Sequence, residues 1–120
     1  MADSATTKRQ LQIKTGVVKR LAKEESSYLT EAQQQEARIQ KFVDDGRDEY
    51  DVKQQRTVLS DTLKMIPDCR KRLEIAADDL SSYVDGLEDD ASITTTDEFI
   101  AAKNILTDVQ EQLSSPLPSV

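Results

Sequence analysis

Histidine and tryptophan are absent from this chain of 120 residues, cysteine occurs once, and aromatic residues make up 4% of it. Each scarcity removes a class of function. Without histidine, no nucleophilic triad built on imidazole can form. With Cys69 the lone thiol, an internal disulfide is impossible and a structural zinc site lacks its ligands; Cys69 itself reads as a small packed hydrophobe in a reducing compartment. The three glycines do not make a phosphate-cradling loop. No stretch approaches the roughly 20 apolar residues of a membrane span, the N-terminus lacks the apolar core of a secretory signal, and no prenylation motif closes the chain. A net charge of −7 and a pI near 4.6 argue against nucleic acid as a partner. Acidic residues abound, but they fall on solvated faces and loops. The reading is a soluble cytosolic protein with no catalytic residues, no metal site and no cofactor.

What the chain does have is heptad-spaced apolar residues. Leu11, Val18, Leu21, Tyr28, Ala32, Ile39 and Phe42 follow the alternation of threes and fours that marks one face of a helix. Val52, Leu59, Ile66, Cys69, Leu73, Ala76, Leu80, Tyr83 and Leu87 continue the pattern, and Phe99, Ala102, Leu106, Val109 and Leu113 form a third, shorter stripe. A stripe of this kind is buried only against another. The expected fold is all-α: an antiparallel up-down-up three-helix bundle with left-handed, spectrin-like coiled-coil packing and a shorter third helix. It forms a single domain over residues 1–120, with helices at about 8–43, 48–87 and 96–114 and flexible ends at 1–7 and 115–120.

Local signals set these bounds. Gly46 after Asp44-Asp45 suits a left-handed cap for the first helix, and Asp48 suits the N-cap of the second. Gly16 is a weak spot, with close approach of a neighbouring backbone as the sharper alternative. Pro67 is expected to kink the second helix without ending it. Asp89 to Ser92 reads as a loop, Thr95-x-x-Glu98 as a capping box, and Ser115-Pro116-Leu117-Pro118 as a loose tail.

Register then places residues. If the first turn centres on Gly46, residues at equal height on the first two helices have numbers summing to about 92, and the third helix ends near the level of Pro67 and Glu25. Beyond that level the hairpin is two-stranded, and the seam of Tyr28, Ala32, Ile39, Phe42, Val52, Leu59, Leu63 and Ile66 is expected to be partly open. Gln35 and Gln55 fall on the stripe, where they weaken the hairpin or set its register. The charge is segregated: residues 1–23 carry six Lys/Arg against one acid, and residues 74–120 one Lys against eleven acids. Register brings Arg70, Lys71 and Arg72 level with Lys19, Arg20 and Lys23, as one basic patch or as a solvated face with local salt bridges.

Three segments carry a family resemblance. Ile13-Lys14-Thr15-Gly16-Val17-Val18-Lys19-Arg20-Leu21, Tyr50-Asp51-Val52-Lys53-Gln54-Gln55 and Met65-Ile66-Pro67-Asp68-Cys69 followed by Arg72-Leu73 closely resemble the tubulin-specific chaperone A (tubulin-binding cofactor A) family, in order and at family-like spacing from Ile13 to Leu80. Gln54 stands where the family usually has a second lysine, and the Ser/Pro tail looks like an extension. The resemblance implies a three-helix bundle without cofactor or enzymatic activity. It implies a cytoplasmic, cytoskeleton-associated chaperone that binds β-tubulin folding intermediates released from chaperonin and passes them on for assembly of the α/β heterodimer of microtubules. Other tubulin-folding cofactors are further candidate partners; nucleic acid and membrane are not. Candidate docking residues are Lys14, Lys19, Arg20, Lys23, Arg70 and Arg72, joined by Tyr50, Lys53 and Pro67. Candidate apolar contacts are Tyr28, Ile39, Leu63 and Ile66. A monomer is expected, the alternative being a dimer through paired open seams. The competing functional reading is a coiled-coil adaptor or scaffold subunit of a larger complex.

Overall fold

A computed structural model describes residues 3–118, so the flexible-end expectations for Met1, Ala2, Ser119 and Val120 lie outside the described residues. The elements run α1 (Ser4–Asp44), α2 (Glu49–Asp85), α3 (Ala91–Thr94) and α4 (Asp97–Ser114). The chain is all-helical, with no strand among the described residues. Four helices stand where three were expected, because the segment read as a loop before the last helix contains a helical turn of its own.

The caps explain the boundaries. Helix α1 begins at Ser4, earlier than expected, because the Asp3 carboxylate accepts a 2.7 Å hydrogen bond from the Thr6 N–H and so satisfies an orphan donor of the first turn. The Thr6 N–H, followed by the Thr6 hydroxyl, holds the Asp3 carboxyl below its ordinary pKa. At the far end Gly46 takes φ 70°, the Arg47 N–H donates to the Phe42 carbonyl, and the Gly46 N–H donates to that of Val43. This pair of bonds is the Schellman closure that a left-handed glycine permits. The Asp48 carboxylate accepts from the Tyr50 N–H to open α2. Helix α2 runs through Pro67 unbroken.

Asp90 caps α3 by accepting from the Ser92 N–H. Thr95 closes α3 instead of opening the next helix. The N-cap of α4 is Thr96, whose extended backbone lets its hydroxyl accept from the Phe99 N–H while donating to the Ile93 carbonyl. The N-cap therefore falls one residue later than expected, and with Phe99 at the third position the expected capping box does not form.

The chain divides into two compact units. The first comprises α1 up to Lys23 together with Lys71–Pro116. Its core joins Leu11, Val18, Leu21 and Ala22 of α1, Leu73, Ala77, Leu80 and Val84 of α2, Ile93 of α3, and Phe99, Ala102 and Val109 of α4. On α2 the buried positions are Ala77 and Val84, with Ala76 and Tyr83 only packed against the cluster. A straight α-helix drifts about 20° per heptad from a strict repeat of seven, and here α2 shares its core with three other elements, so its buried face is broader than a two-helix seam. Lys14 binds Asp79 at 2.7 Å across the α1–α2 pair, and the Gln112 amide donates to the Ala22 carbonyl at 3.0 Å, tying the end of α4 to α1.

The second unit comprises Glu24–Arg70 and the chain from Leu117. Ala32, Leu63 and Ile66 form its small buried cluster, with Tyr28, Leu29, Leu59 and Leu117 packed against it. Two polar devices set the pairing. The Arg70 guanidinium grips the Glu25 carboxylate, Nε to Oε2 at 2.6 Å and Nη2 to Oε1 at 2.9 Å. The Gln35 amide donates both to the Gln55 carbonyl, at 2.9 Å, and to its side-chain oxygen, at 2.8 Å. Partner numbers fall along α2 as they rise along α1, so within this unit the two helices run antiparallel. Gln35 is buried, and its bonds give it the register-setting role of the two considered above.

Candidate docking groove

On the first unit, Gln10, Ile13, Lys14 and Val17 of α1 face Arg72, Ile75, Ala76 and Asp79 of α2 across an open groove of about 530 Å³. On each helix the four residues follow i, i+3, i+4, i+7 spacing, so each contributes one longitudinal stripe. These stripes lie beside the core stripe, which leaves aliphatic side chains in solvent: Ile13 is 50% exposed and Ile75 61%. Val17 is 36% exposed, less than either, and Val18, its neighbour, is fully buried. Helical geometry points adjacent residues in different directions, so Leu11 and Val18 can fill the core while Ile13 and Val17 face outward.

The groove's charge is cationic and partly matched. Lys14 contacts Asp79 and lies over the Tyr83 ring at 5.5 Å; Arg72 is exposed at the other end of the α2 stripe. Arg9 and Arg20, both exposed, stand one turn outside Ile13 and Val17 on α1. The lining is thus an aliphatic floor flanked by guanidinium and ammonium groups. It is open along its length and has no set of buried polar groups converging on one point, which distinguishes it from a pocket shaped for a small ligand. A helix or an extended segment of another chain fits such a surface. Among the described residues, no group of His, Cys, Asp and Glu side chains is arranged to hold a metal ion.

The docking residues inferred from sequence are dispersed by the structure. Lys14 and Arg72 line the groove, while Lys19, Arg20 and Lys23 are exposed along the same stretch of α1. Arg70 requires correction: it belongs to the second unit, is only 8% exposed and carries the ion pair with fully buried Glu25. Its charge faces inward because an uncompensated carboxylate at Glu25 would be costly there. Tyr50 and Lys53 are exposed beside a shallow hollow with Glu49, Val52 and Arg56, and Pro67 is exposed on α2. The apolar seam is also corrected. Ile39, Leu63 and Ile66 are buried and Tyr28 is half-buried, since the helices close on these side chains and Leu117 packs over part of them. Cys69 is buried, with its thiol 3.9 Å from a Glu24 carboxylate oxygen.

Sequence reading missed Ile13, Val17 and Ile75 as surface residues. The signal was available: they are large aliphatics off the heptad stripe, on otherwise polar helix faces. Glu25 had no such signal, because a charged residue in a helix reads as solvated unless its partner is known.

An open aliphatic groove on an all-helical chain suits one class, the helical docking protein that presents a face to another macromolecule. Comparison with known proteins identifies the lineage. The model of the tubulin binding cofactor A family matches residues 6–106, and the chain belongs to that family. It is 45% identical over 102 residues to tubulin-specific chaperone A of Gallus gallus, covering 85% of this chain and 92% of that protein. The crystal structure of tubulin folding cofactor A from Arabidopsis thaliana superposes with a TM-score of 0.82 at 42% identity, covering 90% of this chain and 99% of that one. Rbl2p, a β-tubulin binding post-chaperonin cofactor, superposes with a TM-score of 0.76 at 33% identity, covering 88% and 99%.

Proposed function

We propose that this chain is a β-tubulin holdase: it binds β-tubulin folding intermediates after their release from chaperonin and passes them on for heterodimer assembly. The observation that carries this reading is the aliphatic groove of Ile13, Val17 and Ile75 with its cationic flanks, on a protein whose net charge is −7. An incompletely folded client displays apolar surface that must be covered reversibly. An open groove does this, and its basic flanks favour an acidic client over other apolar chains. The names of the relatives, tubulin-specific chaperone and β-tubulin binding cofactor, support the same partner. The action is binding alone, without a chemical step, by a cytoplasmic monomer in which α1, α2 and α4 form a single antiparallel up-down-up bundle and α3 serves as a corner. No helix among the described residues is long and apolar enough to cross a membrane.

The test is a native-gel shift with labelled β-tubulin released from chaperonin, with α-tubulin as control. Full burial of one aliphatic side chain contributes about 1.5–3 kcal/mol, so Ile75→Asp is expected to weaken capture by about tenfold or more, and Ile13→Asp likewise. Helicity by circular dichroism should stay intact, because both side chains are exposed. Undiminished capture by both variants would remove the groove from the binding surface.

A further inference from the structure

Helix α4 ends at Ser114, yet the chain beyond it does not leave the protein surface: Leu117 packs against the apolar cluster of the second unit, beside Tyr28, Leu29, Leu59, Leu63 and Ile66. We propose that this seam is a second client surface and that Leu117 is its internal occupant, covering it until a client segment takes its place. The inference rests on the holdase reading for the identity of the displacing partner, and on the second unit alone for the cover.

Three observations carry it. The seam lies in a unit that contains no part of α4, and where a third helix covers the first unit's core, here Leu117 packs over part of the cluster beside Tyr28, Leu29 and Leu59. The covering segment is short and bounded by prolines. Pro116 and Pro118 flank Leu117 and have no N–H to donate, and the Ser115 N–H, on an extended backbone, donates to the Gln112 carbonyl. Leu117 itself is only half-buried. Finally, the seated tail shows by example what the surface accepts: an extended segment presenting one aliphatic side chain, kept extended by flanking prolines at low entropic cost. The family match ends at residue 106, short of this tail. The partner the seam fits is therefore an extended, aliphatic-bearing stretch of the β-tubulin intermediate.

The experiment compares full-length wild type, Leu117→Ala and Leu117→Asp by two readouts. The first needs no client: amide hydrogen exchange over residues 28–32 and 59–66, with binding of an apolar dye such as bis-ANS. The second is affinity for the β-tubulin intermediate. Both variants should bind more dye and exchange faster over the two stretches while keeping full helicity. Leu117→Ala should bind β-tubulin about threefold to tenfold more tightly. Unchanged exchange and dye binding in both variants would show that Leu117 does not cover the seam. Raised dye binding with unchanged β-tubulin affinity would show that the client does not use it. If wild type and variants all fail to bind β-tubulin, the holdase reading falls and takes the client half of the proposal with it, while the dye and exchange data still decide whether the tail is a cover.

Discussion

Glu25 and Arg70 are the residues whose loss should be felt most outside the apolar core. The carboxylate is fully buried and the guanidinium nearly so, joined by two hydrogen bonds across a gap of 45 positions in sequence. Removing one partner of a buried pair costs about 3–5 kcal/mol, because the other charge is left without compensation. Arg70→Met is thus expected to destabilise the protein by that order in urea unfolding, whereas the double variant Glu25→Leu/Arg70→Met should recover most of the loss. A single variant with wild-type stability would mean that water reaches the pair. The same residues mark a limit of reading sequence alone. Periodicity located Leu11, Val18, Leu73, Leu80 and Val109 correctly as core, since burial of a helical stripe is encoded by its spacing. It assigned Arg70 to a surface patch, because the tie that turns this charge inward is tertiary and no local pattern reports it.

At the scale of elements, α1 shows how tertiary packing overrides propensity. Gly16 lies well inside the helix, is exposed, and a Cβ placed on it would meet nothing within 4 Å. The close-approach alternative is therefore absent, and the glycine is a tolerated weak spot. Gly16→Ala should raise stability by about 0.5–1 kcal/mol, read as a higher urea midpoint with unchanged slope; a lower midpoint would show that the helix needs flexibility there. The existence of the long helices was legible from their stripes, whereas their ends depended on caps. Gly46 and Asp48 were readable because glycine and aspartate at such positions have one common use. Asp3, Asp90 and Thr96 were not resolved, since Asp, Ser and Thr cluster at both reversals and the choice among them depends on a backbone angle.

For the whole molecule, the two units differ in how much they bury. Twelve buried residues, drawn from all four helices, make the first unit's core, and three make the second's main cluster. Native-state hydrogen exchange should accordingly find the slowest amides around Val18, Leu73, Leu80 and Val109, and faster opening around Ala32 and Leu63. Equal protection in both would mean that the helices open only as a unit. The aliphatic groove lies on the first unit and the smaller cluster on the second, a division that stripe spacing could not reveal. The corner before α4 is closed by its own neighbours, Asp90 onto Ser92 and Thr96 onto Phe99, and the first reversal by Phe42, Val43, Gly46 and Arg47. Both bends can form within microseconds from residues a few places apart, before any distant contact exists. The long pairings then close outward from Gly46, Gln35 with Gln55 first and Glu25 with Arg70 after, each shortening the loop left for the next. A chain whose bends close on their own neighbours can zip outward from them.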